Sequence, residues 1–141
     1  MEWQAQAGAR LRRAGHRAGA ARAALIDYLA VQSCCKSAQE IHADLSRRGT
    51  RVGLASVYRV LDVLAEHGLV QRIDLGDGIA RYEAAQPGGA HHHHLVCDEC
   101  GKVEPFADPQ LEQAIEALED RSGFSVVAHD VVLRGACEAC R

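Results

Sequence analysis

Apolar side chains recur every three or four positions through much of the first half of the chain, which is the spacing of amphipathic helices. The pattern predicts one helix over Ala20 to Val31 and a second that begins at Ser37, with Glu40 completing a capping box, and ends at Gly49. The clearest helical pattern runs from Gly53 to Gly68. The residues expected on its buried face are Val57, Val60, Leu61 and Leu64.

Two further patterns flank these helices. A short basic stretch, Arg10 to Ala14, precedes them and stops at Gly15. Residues 69–74 and 79–83 follow them as strand candidates, and the Gly76-Asp77-Gly78 turn joining these predicts a hairpin. Three helices followed by a two-stranded wing are typical of a winged helix-turn-helix.

Composition divides the chain where Pro and Gly cluster, at residues 86–90. Residues 1–60 carry ten Lys/Arg against four Asp/Glu, a net +6, whereas residues 87–141 carry four against ten, a net −6. The basic part is therefore expected to face a polyanion. No apolar run approaches the ~20 residues of a membrane span. The polar N-terminus predicts no signal peptide, and hence a cytoplasmic chain with reduced thiols.

The helix from Gly53 to Gly68 leaves Ser56, Tyr58 and Arg59 on or beside its open face. Arg59 can bridge to guanine or to phosphate, and the Tyr58 hydroxyl can hold a phosphate while its ring touches a thymine methyl. Arg17 could reach a phosphate or the minor groove. The alternative is a protein-interaction module with an ordinary solvated face, and the positive charge favours DNA binding.

The last third of the chain contains two CxxC pairs, Cys97/Cys100 and Cys137/Cys140. Each pair aims two thiolates at one point, and two such pairs complete the tetrahedral shell of a closed structural zinc site. The residues between them, 101–136, are enough for a helix and strands that bring the pairs together. Two disulfides, or four unrelated thiols, are the alternatives.

Four consecutive histidines, His91 to His94, run directly into the first CxxC pair. On a strand neighbouring side chains point to opposite faces, so the odd-numbered and even-numbered imidazoles could serve two separate metal sites. Glu112 at the start of a helical stretch, and His129 in a strand-like stretch, could supply further ligands. A solvated, His-rich loop is the alternative.

Taken in order, these motifs resemble those of the ferric uptake regulator family of bacterial metal-responsive transcription regulators. The resemblance runs from about residue 10 to Cys140. The segments that carry it are Leu11 to Arg17, Ser37 to Ile41, Gly53 to Leu61, His91 to Val103 and Cys137 to Cys140.

The resemblance implies an α+β fold with an N-terminal winged helix-turn-helix domain and a C-terminal α/β dimerisation domain with a four-cysteine zinc site. The expected divisions are a DNA-binding domain over 1–85, a hinge over 86–90, and a dimerisation and metal-binding domain over 91–141. It also implies a homodimer that binds a roughly palindromic operator when metal is loaded, usually as a repressor.

The resemblance further implies two regulatory metal sites. The hinge site would use Cys35, Glu83, His92 and His94. The second would use His91, His93, Glu112 and His129.

The regulatory metal is less sharply predicted, because three branches of the family differ at marker positions. Gln71 stands where the zinc-sensing branch often has Asp, His93 where the iron-sensing branch has Asp, and Glu112 where the peroxide-sensing branch has Asp. Thiolate and imidazole ligands favour zinc over iron. An iron- or peroxide-sensing member, a thiol redox switch at Cys34-Cys35 and a zinc hydrolase stay open as alternatives, although the hydrolase lacks an HExxH helix.

Overall fold

The computed structural model describes residues 2–85 and 92–141. The chain divides into two compact units, Met1–Ala90 and His91–Arg141. The predicted hinge, 86–90, and His91 lie outside the described residues. The architecture is α+β, as predicted. Within the described residues, no helix combines the length and the apolar character needed to cross a membrane.

The described part of the first unit contains four helices and a small sheet. The elements are α1 (Glu2–Arg13), α2 (Ala20–Ala30), β1 (Lys36–Ser37), α3 (Ala38–Arg47), α4 (Leu54–Glu66), β2 (Val70–Asp74) and β3 (Ala80–Ala84). The sheet is antiparallel in the order β1-β3-β2.

The predicted two-stranded hairpin therefore has a third strand, β1, which pairs Lys36 with Tyr82 and Ser37 with Arg81. A strand of two residues is too short to show alternation, so the sequence pattern could not reveal it.

A helix, α1, precedes the first one predicted. The basic stretch that starts at Arg10 forms its last turn, and the helix spans Glu2–Arg13. Trp3, Ala7 and Leu11 are buried at intervals of four residues, which places them on one face of the helix. Trp3 also anchors α1 to the start of β2, because its Nε1 donates a hydrogen bond to the carbonyl of Leu69 at 2.8 Å.

Local signals set the ends of α3 and α4. The predicted capping box is present, since the Glu40 N–H donates to Ser37 Oγ at 3.1 Å and the Ser37 N–H donates to Glu40 Oε1 at 3.3 Å. In α4 the side chains of Val57, Leu61 and Leu64 are fully buried, while Val60 is only partly buried. Burying this face in the core leaves the opposite face of α4 to solvent.

The second unit is a small sheet with one helix. Its elements are β4 (His93–Cys97), β5 (Val103–Phe106), α5 (Pro109–Ser122) and β6 (Val132–Gly135). The order is β5-β4-β6, with β4 antiparallel to β5 and parallel to β6.

The second unit contains the predicted helix but lacks a strand at His129. The histidine run, considered above as a strand, forms the start of β4 from His93 onward. The helical stretch predicted at Glu112 is α5, whose first turn is capped by the Asp108 carboxylate, which accepts from the Gln110 N–H at 2.8 Å. The strand predicted around His129 is wrong, because β6 begins only at Val132. In the preceding segment, Val126 and Val127 are both exposed, and the segment pairs with no strand.

We expect Trp3→Ala to destabilise the protein by roughly 3–5 kcal/mol, since it removes a large buried side chain. Trp3→Phe should cost less, because most of the buried area stays and chiefly the hydrogen bond to Leu69, worth about 1 kcal/mol, is lost. Urea unfolding followed by far-UV circular dichroism measures both. Equal stability of Trp3→Ala and the wild type would mean that α1 is not part of this core.

Candidate metal centres and nucleic-acid surface

The two CxxC pairs meet at the end of the β4–β6 ladder. Cys97 is the last residue of β4 and lies opposite Gly135, the last residue of β6, so the chain reaches Cys137 two residues later. Gly101 adopts φ 78°, a left-handed conformation that glycine accepts readily, and its N–H donates to the Cys97 carbonyl at 2.9 Å. The ligand atoms of Cys97, Cys100, Cys137 and Cys140 all lie within 4.8 Å of one another.

The spacing of these sulfurs fits a zinc ion. Tetrahedral zinc with Zn–S distances of about 2.3 Å places neighbouring sulfurs about 3.8 Å apart. Cys100 Sγ and Cys137 Sγ are 3.7 Å apart. A disulfide would need an S–S distance of about 2.05 Å, and none of the six cysteines, all of which lie among the described residues, is in a disulfide. The donor set could therefore hold a closed, four-sulfur zinc site.

Backbone N–H groups stabilise the thiolate form of Cys97 in this cluster. The N–H of Cys100 at 3.5 Å and the N–H of Cys137 at 3.3 Å both donate to Cys97 Sγ. These hydrogen bonds lower the pKa of Cys97 to about 6. A hydrogen bond with Cys137, followed by those with its other sulfur neighbours, raises the pKa of Cys140 to about 12. One thiolate is thus prepared in advance, and metal binding would displace the protons of the others.

A second cluster joins β4 to α5. His93 is buried, with 2% of its surface exposed, and its Nε2 lies 2.7 Å from Glu112 Oε1. The other oxygen of Glu112 lies 2.7 Å from His129 Nε2. The Val131 N–H donates to His93 Nδ1 at 3.2 Å, so the neutral ring carries its proton on Nε2 and donates it to Glu112. A metal ion bound here through Nε2 would replace that proton.

The alternation of the histidine run is visible in its described members. His92 and His94 have ring centroids 5.0 Å apart, whereas His93 contacts His129 and Phe106, with centroids at 5.2 and 5.5 Å. The run therefore presents imidazoles in two directions, as a strand requires.

In the first unit, Cys34, Cys35 and Glu83 bring their ligand atoms within 4.8 Å of one another. The two sulfurs are 3.9 Å apart and hydrogen-bonded to each other. This hydrogen bond, together with burial, raises the pKa of the Cys35 thiol. Cys35 is therefore a protonated thiol that would give up its proton on binding a metal ion.

The residues predicted to contact DNA lie where the sequence placed them. Arg59 is exposed on the face of α4 opposite its buried stripe, while Tyr58, 38% exposed, and the partly buried Ser56 lie beside that face. Arg59 donates to Ser56 Oγ at 2.9 Å, so its guanidinium lies along the helix. Arg17 is exposed in the segment between α1 and α2.

One residue at this surface was missed by sequence reasoning. Gln39, in the first turn of α3, donates through Nε2 to the Tyr58 hydroxyl oxygen at 2.9 Å. Only its position next to the capping box could have drawn attention to it, because a single exposed Gln carries no sequence signal.

The fold and these clusters define an α+β protein with sulfur and imidazole groups that could hold metal ions. Comparison with known proteins makes the class specific. The model of the Ferric uptake regulator family matches residues 13–134. The chain belongs to this family, whose members are metal-responsive transcription regulators rather than enzymes. The zinc hydrolase considered as an alternative is therefore ruled out.

Individual relatives agree with this assignment. The chain is 38% identical over 128 residues to the zinc uptake regulation protein of Mycobacterium tuberculosis, covering 91% of this chain and 97% of the relative. It is 38% identical over 105 residues to the ferric uptake regulation protein of Bacillus subtilis, covering 74% and 70%. The crystal structure of the Vibrio cholerae ferric uptake regulator superposes with a TM-score of 0.79 at 32% identity, covering 91% and 97%.

We expect Cys140→Ser to remove most of the tightly held zinc and to unfold the second unit, because structural zinc contributes its binding free energy to folding. Zinc content after purification without a tag or chelator, together with a thermal melt, measures this. Cys34→Ser is the matched control and should keep the zinc of this cluster. A full zinc complement and an unchanged melt in Cys140→Ser would refute the four-sulfur site.

Proposed function

We propose that this protein is a metal-dependent, DNA-binding repressor of metal-homeostasis genes, acting in the cytoplasm as a homodimer on a palindromic operator. The observation that carries the proposal is the face of α4, where Tyr58 and Arg59 are exposed on a helix whose other side is held in the core. Membership of a family of metal-responsive regulators supports it.

The proposal assigns DNA binding to the first unit, as a winged helix-turn-helix domain with α4 as the recognition helix and β2–β3 as the wing. Its support is the net charge of +6 over residues 1–60 and the polar exposed face of α4. The Vibrio cholerae regulator, similar over most of its length, is described as having DNA-binding domains. Arg17, Ser56, Tyr58 and Arg59 are the proposed contacts, with Arg59 reading a base and the others holding the backbone.

We assign dimerisation to the second unit. Helix α5 has no buried residue, and apolar side chains of the unit are left in solvent. Leu118 is 55% exposed, Phe124 75% and Leu133 51%. A second copy of the chain would cover such surface, as homodimer interfaces commonly do. Two α4 helices would then reach successive major grooves, about 34 Å apart.

Three metal sites follow in this proposal. Cys97, Cys100, Cys137 and Cys140 hold structural zinc. Cys35, Glu83, His92 and His94 form the regulatory hinge site, a ligand set supported by the close approach of Cys35 to Glu83 in the first unit and of His92 to His94 in the second. His91, His93, Glu112 and His129 form the second regulatory site, supported by the carboxylate contacts of the two described imidazoles.

Zinc is the proposed regulatory metal, with iron as the alternative. Sulfur and imidazole donors favour zinc, and the alignment with the zinc uptake regulation protein covers 97% of that relative. The ferric uptake regulation protein of Bacillus subtilis, equally identical over a shorter segment, keeps iron as the second candidate.

A metal ion that takes ligands from both units would restrict the path of the chain between them. Metal would then favour those separations of the two α4 helices that fit an operator, and it acts only through its higher affinity for that state. By linkage, DNA must raise the affinity for metal by the same factor.

Arg59→Ala tests the recognition helix. A duplex selected from a random library by the zinc-loaded wild type serves as the probe, and a scrambled duplex as its reference. The variant should bind the selected duplex about 1–3 kcal/mol more weakly, the usual worth of a bidentate base contact, with a smaller loss on the scrambled duplex. Arg141→Ala, which removes an exposed arginine outside both the first unit and α5, is the charge-matched control. Equal losses on both duplexes would make Arg59 a phosphate contact.

His92→Ala tests the metal response. It should abolish the zinc-dependent gain in affinity for the selected duplex while keeping the zinc of the cysteine cluster, because the two sites share no ligand. His93→Ala should give a milder defect. Fluorescence anisotropy with zinc titrated against a chelator buffer measures both. A larger defect in His93→Ala would transfer the sensing role to the second regulatory site.

A further inference from the structure

The contact between Gln39 and Tyr58 joins α3 to the exposed face of α4. Gln39 Nε2 donates to the Tyr58 oxygen at 2.9 Å, and both side chains are exposed. Exposed polar groups have water as an alternative partner, and fixing two side chains costs conformational entropy. The bond therefore adds little to stability, and its main physical consequence is the orientation of the phenol.

The backbone that carries Gln39 is held in place by hydrogen bonds on both sides. It lies inside the capping box formed by Ser37 and Glu40, which satisfies the first backbone groups of α3. Ser37 is further held by the pairing of β1 with β3, opposite Arg81. The amide of Gln39 is thus presented from a helix end that is anchored on two sides.

The direction of the hydrogen bond determines what Tyr58 offers to a ligand. A phenol has one O–H to donate and can also accept. Since Gln39 donates to the oxygen, the proton of Tyr58 is left for another partner, and accepting a hydrogen bond makes that proton a better donor. A phosphate oxygen is acceptor-only, so it matches this arrangement.

An open groove lies beside the bond and gives such a partner room. Its volume is about 410 Å³, and its walls come from α3, α4 and the wing. Arg72 of β2 and Asp62 of α4 line it together with Tyr58 and Gly78.

We propose that Gln39 is a positioning residue for DNA binding, which orients Tyr58 so that its hydroxyl proton is donated to a backbone phosphate in the groove between α4 and the wing. This inference rests on the proposed DNA-binding function. Gln39 acts through Tyr58 and makes no DNA contact of its own.

A double-mutant cycle on the selected duplex tests the coupling. Gln39→Ala and Tyr58→Phe should each weaken binding roughly 2- to 10-fold, the range of one hydrogen bond. The double variant should bind no more weakly than Tyr58→Phe alone. Gln6→Ala, which removes an exposed side-chain hydrogen bond to Glu2 within α1, is the control and should bind as the wild type does. Unchanged melting temperatures would separate these effects from unfolding.

Gln39→Glu reverses the polarity of the bond. A carboxylate accepts the Tyr58 proton, so less donor capacity remains for phosphate, and the variant should bind more weakly than Gln39→Ala. Part of that loss is charge repulsion, which persists when Glu is combined with Tyr58→Phe. The loss of affinity that Gln39→Glu causes in the wild type but not in Tyr58→Phe measures the effect of the hydroxyl orientation.

NMR spectroscopy of the free protein tests the hydrogen bond between Gln39 and Tyr58 without DNA. In the free protein, the side-chain amide resonances of Gln39 should shift on Tyr58→Phe and stay in place on Arg59→Ala. An unshifted amide in Tyr58→Phe would overturn the proposal.

Other results separate this inference from the proposed function. Additive losses in the cycle would mean that Gln39 contacts DNA directly, and wild-type affinity of Gln39→Ala would mean that it has no role; either overturns the positioning role alone. Wild-type affinity of both Tyr58→Phe and Arg59→Ala would overturn α4 as the recognition helix, and the role of Gln39 with it.

Discussion

The parallel pairing of β4 with β6 is the constraint on which both ligand clusters of the second unit depend. The register sets His94 opposite Val132 and Cys97 opposite Gly135. At one end this brings the second CxxC pair to the first, and at the other it brings His129 and the Val131 amide to His93. Because side chains alternate along a strand, a slip of one residue would turn His93 away from Glu112 and Cys97 away from its partners.

The second unit also depends on these ligands for its interior. Among its described residues, the buried side chains are only His93, His94, Val96 and Cys97. Three of the four are polar or thiol groups, which are costly to bury without partners. A unit of this size buries little hydrocarbon, so metal coordination is a physically sensible replacement for a larger apolar core. Removing one of these side chains would thus cost folding free energy as well as a donor of a proposed metal site.

The first unit is stabilised instead by an apolar core. Its core is continuous and apolar, drawing side chains from all four helices, and it holds α4 by the stripe that includes Val57, Leu61 and Leu64. The polar residues of α4 are consequently displayed on a rigid support. The capping box of α3 does the same for Gln39, so two helices converge on one exposed hydroxyl. Rigid presentation of this kind lowers the entropic cost of binding a ligand.

Short-range patterns were enough for the sequence to determine much of this protein. The heptad-like spacing in Gly53 to Gly68 predicted α4 and its exposed residues, and the Ser37–Glu40 pair predicted the start of α3, because helix periodicity and capping are local. The CxxC spacing likewise predicted a four-sulfur cluster, since each pair needs only a tight turn. The alternation within the histidine run followed from strand geometry alone.

Only the tertiary structure decided the features that depend on residues distant along the chain. Strand β1 exists because two residues pair with β3, and α1 is held in the core because Trp3 is buried and donates a hydrogen bond to Leu69. His129 lies outside any strand yet reaches Glu112, since β6 places the preceding segment beside β4. The bond from Gln39 to Tyr58 spans two helices whose packing no local pattern encodes. Contacts of this kind depend on the packing of whole elements, whereas a local sequence pattern reports only the element in which it lies.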